Sequence, residues 1–162
     1  MDAYLAIASK RDGRAYAETP VPDDVERRIL DAGRVSGSSR NTQKWEFVVV
    51  ETARDRLADA VYRPENVSGA TLVVAIVGEA GGFDVGRCAQ NMMLAAWNDG
   101  VVSCPNGIRD AEAAAEICGG EVKAVLSFGY PASGPRDPER RSAPEWSELA
   151  NRKPLDELVR RA

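Results

Sequence analysis

Apolar residues along the chain occur in two kinds of pattern, short β-branched runs and longer stretches with helical spacing. Residues 46–51 and 71–77 are rich in valine and isoleucine, which favours extended strands. The second run is apolar at successive positions and therefore predicts a strand with both faces buried, at the centre of a sheet. Residues 122–128 predict a third strand.

Helical spacing predicts several helices between and around these strands. One begins at Asp23, where a carboxylate can cap it and Glu26 follows three residues later. Residues 83–99 predict the longest helix, and apolar side chains lie nearly all round it, so it is central or sits at a subunit interface. Shorter helices are predicted over residues 2–10, 52–62, 110–118 and 155–160.

The composition changes after the third predicted strand. Residues 129–144 carry four prolines and predict an extended arm rather than core. Helices and strands alternate without an internal repeat, which indicates a single α+β or three-layer α/β domain. We place its core in residues 1–128, and expect residues 129–162 to complete the same domain or that of a dimer partner.

The residue counts exclude several classes of function. The chain has 162 residues and no histidine, so it lacks Ser-His or Cys-His nucleophile pairs and histidine-ligated metal. Any difficult chemistry then belongs to a cofactor. A net charge of −4 without a long basic run argues against nucleic-acid binding, and the longest apolar run is too short to span a membrane. Cys88, Cys104 and Cys118 form no CxxC motif, which predicts reduced thiols and a cytoplasmic protein.

Four polar segments are candidates for a binding site, and each has a plainer interpretation. The glycine-rich turn at 77–86 departs from a dinucleotide fingerprint and favours an ordinary turn. The cluster of Lys10, Arg11 and Arg14 has the chemistry to hold a phosphate, but equally that of a solvated face. Residues 37–43 form a polar loop able to bind the edge of a heteroaromatic ring, or a simple connection. Two further cations, at 152 and 153, precede the last helix.

Taken together and in order, four segments resemble a known family. They are KRDGRAY at residues 10–16, GSSRNTQKWEFVVV at 37–50, FDVGRCAQNMMLAAWNDGVVSCP at 83–105, and FGYP with RKPLDELV near the end. The chain is identified by them as similar to the flavin-dependent nitroreductase superfamily. The resemblance implies an α+β fold of three layers, in which helices flank a central mixed sheet and a C-terminal arm follows.

The resemblance also implies a homodimer with one FMN in each of two interface sites. Lys10, Arg11 and Arg14 would hold the FMN phosphate together with Arg152, and Asp12 lies within the same motif. The loop would contact the ribityl chain or the flavin edge from the other subunit through Ser38, Ser39 and Asn41, with Gln43 supporting it. The backbone near Asn106 and Gly107 would lie beside flavin N5.

Several positions depart from the family pattern. Asp12 stands where many members have serine, and Lys10 replaces the first arginine and cannot make a bidentate fork. Gly37 and Lys44 replace prolines, which leaves the loop less rigid and adds a positive charge. Residues 62–71 form a short segment, with little room for the longer insertion that often covers the active site in this family. We therefore expect a pocket that is open or covered by a different segment.

The leading hypothesis is an FMN-dependent oxidoreductase that passes hydride from NADH or NADPH through the flavin to a nitroaromatic, quinone or similar flat acceptor. The chemistry would be centred on the flavin, with no catalytic side chain and no metal. Two alternatives remain: a flavin or deazaflavin carrier without turnover, and a structural dimer module.

Overall fold

Four strands form one sheet in the computed structural model, which describes all 162 residues. In chain order the strands are β1 (Glu46–Val49), β2 (Leu72–Val77), β3 (Val102–Asn106) and β4 (Val122–Gly129). They lie in the order β1-β2-β4-β3, and every neighbouring pair is antiparallel. The α+β class is confirmed, whereas the expected mixed sheet is wrong. The only parallel pairing in the sheet is an isolated bridge between Asp12 and Ser103 at the β3 edge, and it does not extend into a strand.

Eight helices accompany the sheet. They are α1 (Ala3–Ser9), α2 (Asp23–Arg34), α3 (Arg54–Asp59), α4 (Pro64–Ser68), α5 (Gly82–Asn98), α6 (Ala111–Cys118), α7 (Ala143–Leu149) and α8 (Leu155–Leu158). Short 3-10 turns occur at Ser39–Asn41 and Pro138–Arg140. None of the helices combines the length and the apolar character needed to cross a membrane.

The sheet separates two hydrophobic clusters because side chains alternate between its faces. On one face, Ile76 and Phe128 pack with Ile29 of α2 and Met92 of α5. On the other face, alternate residues of β2 and β4 pack with α3 and α6, including the fully buried Leu57. Helices therefore cover both faces, which confirms the three layers.

The predicted burial of the central strand and the long helix is confirmed. Every residue of β2 is buried, and it lies between β1 and β4. Helix α5 buries seven residues along its length and packs against α2, β3 and β4. The three cysteines are buried and form no disulfide, so no cross-link constrains the chain.

Several predicted boundaries are wrong. Strand β3 was not predicted, because its sequence VSCPN contains a proline and only one β-branched residue. The helix predicted over 52–62 ends earlier, since Val61 forms an isolated bridge with Ile108, and α4 follows separately. The arm predicted as extended contains the 3-10 turn Pro138–Arg140 and the start of α7.

The chain divides into two compact units, residues 11–136 and a smaller one of residues 1–10 with 137–162. In the smaller unit α1 packs against α7, and the guanidinium groups of Arg140 and Arg141 lie 5.4 and 5.3 Å from the ring centre of Trp146. The hydroxyl and the backbone N–H of Ser142 donate to Glu145 at 2.6 and 2.7 Å, which caps α7 and lowers the pKa of that carboxyl. The boundary proposed between residues 128 and 129 remains a prediction.

Candidate functional site

A pocket of about 580 Å³ lies at the end of β3, within the larger unit. Arg14 lines it together with the last residues of β3 and Gly107, and the start of α4 contributes Arg63 and Asn66. Its volume falls in the range typical of small-molecule and cofactor sites. The pocket brings together three residues predicted from sequence: Arg14, Asn106 and Gly107.

Arg14 is positioned by the glycine before it. The backbone N–H of Gly13 donates to the carbonyl of Ser103 at 3.1 Å, and Asp12 forms a bridge with the same strand residue. A Cβ at position 13 would lie 2.5 Å from a methyl group of Val102. Only glycine therefore allows this segment to lie so close to β3. The close approach fixes the backbone position of the next residue, the exposed Arg14.

Asn106 is buried and is held in one orientation by its neighbours. Its Nδ2 donates to the carbonyls of Cys104 and Val125, at 3.1 and 3.3 Å, and to the hydroxyl of Ser127 at 3.1 Å. Carbonyl oxygens only accept hydrogen bonds, so the amide cannot be rotated to exchange its oxygen and nitrogen. Its Oδ1 is buried and has no hydrogen-bond partner.

Tyr16 joins this network from the N-terminal side. Its hydroxyl lies 2.9 Å from the carbonyl of Gly13 and 2.8 Å from the hydroxyl of Ser127. Burial raises the pKa of Tyr16 to about 12, against an opposing effect of the hydrogen bond with Ser127. The phenol is therefore neutral and retains its proton through the physiological range of pH.

The opposite wall of the pocket comes from the segment after α3. The backbone N–H of Tyr62 donates to the carbonyl of Gly107 at 3.0 Å, and its exposed ring lies so close that a Cβ at Gly107 would be 3.0 Å from it. Asn66 is buried, and its Nδ2 lies 3.9 Å from Sγ of Cys104. The short segment of residues 62–71 thus supplies part of the pocket wall.

The polar loop before β1 adopts an unusual backbone. Arg40, Asn41 and Gln43 all have positive φ, at 53°, 56° and 48°, a region that residues other than glycine seldom occupy. The backbone N–H of Gln43 donates to the hydroxyl of Ser38 at 2.9 Å, and its side-chain Nε2 donates to the carbonyl of Asn41 at 3.2 Å. Such strain persists only where surrounding structure holds it, and it is common at ligand sites.

Helix α5 holds this loop at two hydrogen-bonded points. Asp84, in its first turn, accepts a hydrogen bond from the backbone N–H of Ser39 at 2.9 Å. Two turns later, Asn91 donates to the hydroxyl of Ser36 at 2.7 Å. These α5 residues were not singled out from the sequence. The position of Asp84 at the head of the long helix was the one available signal.

Gly37 and Lys44, which stand where the family pattern has prolines, each contact another side chain or leave space for one. A Cβ at Gly37 would collide with the guanidinium of Arg87, so glycine at this position makes room for that side chain. The ammonium of Lys44 lies 3.1 Å from the carboxylate of Glu79, an exposed pair that offsets its charge. The added positive charge therefore has a partner of opposite sign within the same chain.

The structure does not bring all the predicted residues together within one chain. Ser38, Ser39, Asn41 and Gln43 do not line the Arg14 pocket. Gln43 lines a separate recess of about 290 Å³ with Lys44 and Trp45. The remaining predicted residues divide between the two units: Arg11 and Asp12 with Arg14 in the larger, Lys10 and Arg152 in the smaller.

Tyr16, Ser127, Arg63, Asn66 and Cys104 were missed as parts of the site. Tyr16 ends the first motif, KRDGRAY, and could have been found there. The other four carry no local sequence signal, because they meet only when β3, β4 and α4 are assembled.

The chain is similar in sequence to known redox proteins. Residues 7–80 match the model of the Nitroreductase family. A protein of Methanothermobacter thermautotrophicus described as an NADH dehydrogenase/NAD(P)H nitroreductase is 25% identical, over 90% of this chain and 88% of its own. The NADH dehydrogenase of Thermus thermophilus is 32% identical over a shorter stretch, 47% of this chain and 38% of that protein.

Solved structures show the same fold. A nitroreductase family protein of Clostridium difficile superimposes with a TM-score of 0.81 at 20% identity, over 99% of this chain and 98% of its own. A protein of Desulfovibrio desulfuricans described as a nitroreductase, in complex with FMN, gives the same TM-score at 24% identity, over 100% and 98%. The family resemblance found in the sequence is confirmed, and the fold is that of nitroreductases.

Proposed function

We propose that this chain, which resembles the nitroreductase family and has its fold, is an FMN-dependent oxidoreductase using NADH or NADPH as electron donor. The observation that carries the proposal is the joining of Arg14 and the end of β3 in one pocket of about 580 Å³. A guanidinium at one side suits a phosphate monoester. The backbone of Asn106 and Gly107 at the other side offers polar groups to a ring edge.

The residues present fit FMN on two structural grounds. The pocket has Arg14 and Arg63 on its wall against a single carboxylate, that of Glu65, so its lining favours an anionic ligand. Gly107 leaves free the space that a side chain would fill beside Tyr62. When bound, FMN would supply the transfer of hydride from the nicotinamide donor to the acceptor.

The chain's own residues would bind and orient FMN rather than react with it. Arg11 and Arg14, with Lys10 and Arg152, are proposed to hold the phosphate, and Asp12 to lie beside them. Ser38, Ser39 and Asn41 are proposed to reach the flavin of a second subunit, with Gln43 keeping their loop in shape. The acceptor would be a flat molecule such as a quinone or a nitroaromatic.

A homodimer is part of this proposal. The loop residues do not line the pocket of their own chain, although α5 holds them in a strained and defined shape. Exposed apolar side chains on the smaller unit, among them Tyr4 and Leu155 at 68% and 72% exposure, offer surface for a partner. Both observations support sites completed between two copies. A cytoplasmic location is also part of the proposal, and the thiols of three cysteines that form no disulfide support it.

Anaerobic stopped-flow mixing distinguishes a reductase from a carrier. The FMN-loaded protein is mixed with NADH and, separately, with NADPH, while flavin absorbance is followed. Prompt bleaching with either donor, followed by recovery when a quinone is added, is expected. A protein that binds FMN but does not bleach with either donor is a carrier, and the proposed turnover is then wrong.

A further inference from the structure

We propose that Tyr16 and Ser127 are positioning residues that set the separation between the two ends of the pocket, and so determine preference for a flavin that carries a phosphate over one that lacks it. The inference rests on the proposed function, because it assumes that FMN occupies this pocket. It assigns a role to two residues that do not line the pocket themselves.

The first part of the argument concerns the Arg14 end. Arg14 is exposed and its side chain is flexible, so its reach depends on where its backbone is held. Tyr16 holds that backbone by placing its hydroxyl 2.9 Å from the carbonyl of Gly13. The ring of Tyr16 in turn lies against Gly129, where a Cβ would be 2.8 Å from it. The turn around Arg14 is thereby attached to the end of β4.

The second part concerns the Asn106 end. The hydroxyl of Ser127 is shared by Tyr16, at 2.8 Å, and by Nδ2 of Asn106, at 3.1 Å. Ser127 is completely buried, and its hydroxyl oxygen also lies 3.3 Å from the carbonyl oxygen of Cys104. One hydroxyl therefore connects the segment carrying Arg14 to the strand end that carries Asn106.

The chemistry of this connection makes it directional and lasting. Because the Gly13 carbonyl can only accept, the Tyr16 hydroxyl donates to it, and the Ser127 hydroxyl donates to Tyr16 while its oxygen accepts from Asn106. Buried hydrogen bonds restrict the motion of the groups that they join, and here they join Tyr16, Ser127 and the nitrogen of Asn106, whose Oδ1 takes no part. A ligand that engages both ends gains affinity from a preset separation, whereas a ligand that engages one end gains nothing from it.

The experiment compares FMN with riboflavin, which has the same ring system and ribityl chain but no phosphate. Dissociation constants for both are measured by flavin fluorescence with the wild-type full-length chain and the variants Tyr16→Phe, Ser127→Ala and their combination. Tyr130→Phe serves as the control, because Tyr130 is also half-buried and its hydroxyl takes no part in the network. Thermal unfolding is recorded for each variant.

We expect Tyr16→Phe and Ser127→Ala each to lower FMN affinity about tenfold while riboflavin affinity stays within about twofold of wild type. The combined variant should lose little more than either single one, since both changes break the same connection. The Tyr130→Phe control should retain the wild-type preference for FMN.

Three results would overturn the inference. Equal losses for FMN and riboflavin would show a general structural role, and unchanged preference in both single variants would show no role. Additive losses in the combined variant would show that the two residues act separately. A wild-type protein that binds neither flavin would instead refute the proposed function, and the inference with it.

Discussion

At the scale of single residues, the site depends on a few side chains whose surroundings decide their chemistry. Arg14 owes its position to a glycine that no other residue can replace, because Val102 occupies the space where a Cβ would lie. Asn106 presents its amide in one orientation because two carbonyls accept from its nitrogen. The sequence identified both residues through the family resemblance, but neither the glycine contact nor the amide orientation is visible before the strands pair.

Replacing Arg14 separates phosphate recognition from ring recognition. Arg14→Ala is expected to weaken FMN binding by roughly tenfold to a hundredfold, because a charged hydrogen bond contributes about 1.5–3 kcal/mol. Riboflavin binding should change little, since it has no phosphate to lose. Titration of both flavins measures this, with Arg34→Ala as control because Arg34 pairs with Asp31 on the exposed face of α2. Equal weakening of both flavins would contradict a phosphate contact.

Tyr16 should leave a signature at alkaline pH. Its pKa is raised from 10.0 to about 12 by burial, so between these values the unfolded chain releases a proton that the folded chain keeps. The contribution of the neutral phenol to the free energy of unfolding is therefore full below pH 10 and falls as pH rises towards about 12.

Urea unfolding across that window measures the effect. The stability advantage of wild type over Tyr16→Phe should shrink as pH increases. Cys88, whose pKa burial raises to about 11, contributes a fall of the same sign to both proteins and cancels in the comparison. Parallel stability curves for wild type and variant would show that Tyr16 titrates normally.

At the scale of elements, helix α5 determines the shape of the polar loop before β1. The segment between α2 and β1 that contains the strained residues is held by hydrogen bonds from Ser39 to Asp84 and from Asn91 to Ser36. Each left-handed residue costs about 1–3 kcal/mol, so the loop keeps its shape only while such contacts oppose relaxation.

Removing the Asp84 carboxylate should affect binding more than folding. Asp84→Ala frees the backbone N–H of Ser39, and we expect FMN affinity to fall by roughly tenfold as the loop relaxes. Asp31→Ala is the matched control, because Asp31 is an exposed carboxylate in an ion pair on α2. Flavin titration with thermal unfolding tests this, and unchanged affinity would show that the loop does not reach the flavin.

The turn after β2 requires glycine at one position. Gly78 has φ of 121°, and a Cβ there would lie 2.7 Å from the backbone carbonyl of Lys44. Gly78→Ala is expected to lower the free energy of unfolding by about 1–3 kcal/mol. Gly120→Ala is the control, since its Cβ would stand at an ordinary 3.8 Å from Val77. Similar unfolding temperatures for the two variants would contradict the strain.

Sequence patterns predicted those elements whose own residues carry the signal. Strand β2 and helix α5 are long or uniformly apolar, and both were predicted close to their observed limits. Strand β3 could not be predicted, because Pro105 and Asn106 are uncommon in strands. Both residues are extended here because they pair with β4. Helix α7 was not predicted, because the prolines before and within it indicated an extended segment. Pro144 lies in its first turn, where proline is tolerated.

At the scale of the whole molecule, the absence of histidine is consistent with the proposed flavin chemistry. No side chain has to act as nucleophile if the reaction belongs to a flavin, and the chain's task is then to place charge and polar backbone around it. In the proposed site, the pocket would supply one half of such an arrangement, and the loop would supply the other half to a second copy.

The most direct test of the account is titration of the flavin-free protein with FMN, followed by visible absorption and by flavin fluorescence. We expect saturable binding of one FMN per chain, a yellow complex, and loss of most affinity in the Arg14→Ala variant. A protein that remains colourless and takes up no FMN at any concentration tested would contradict the central claim.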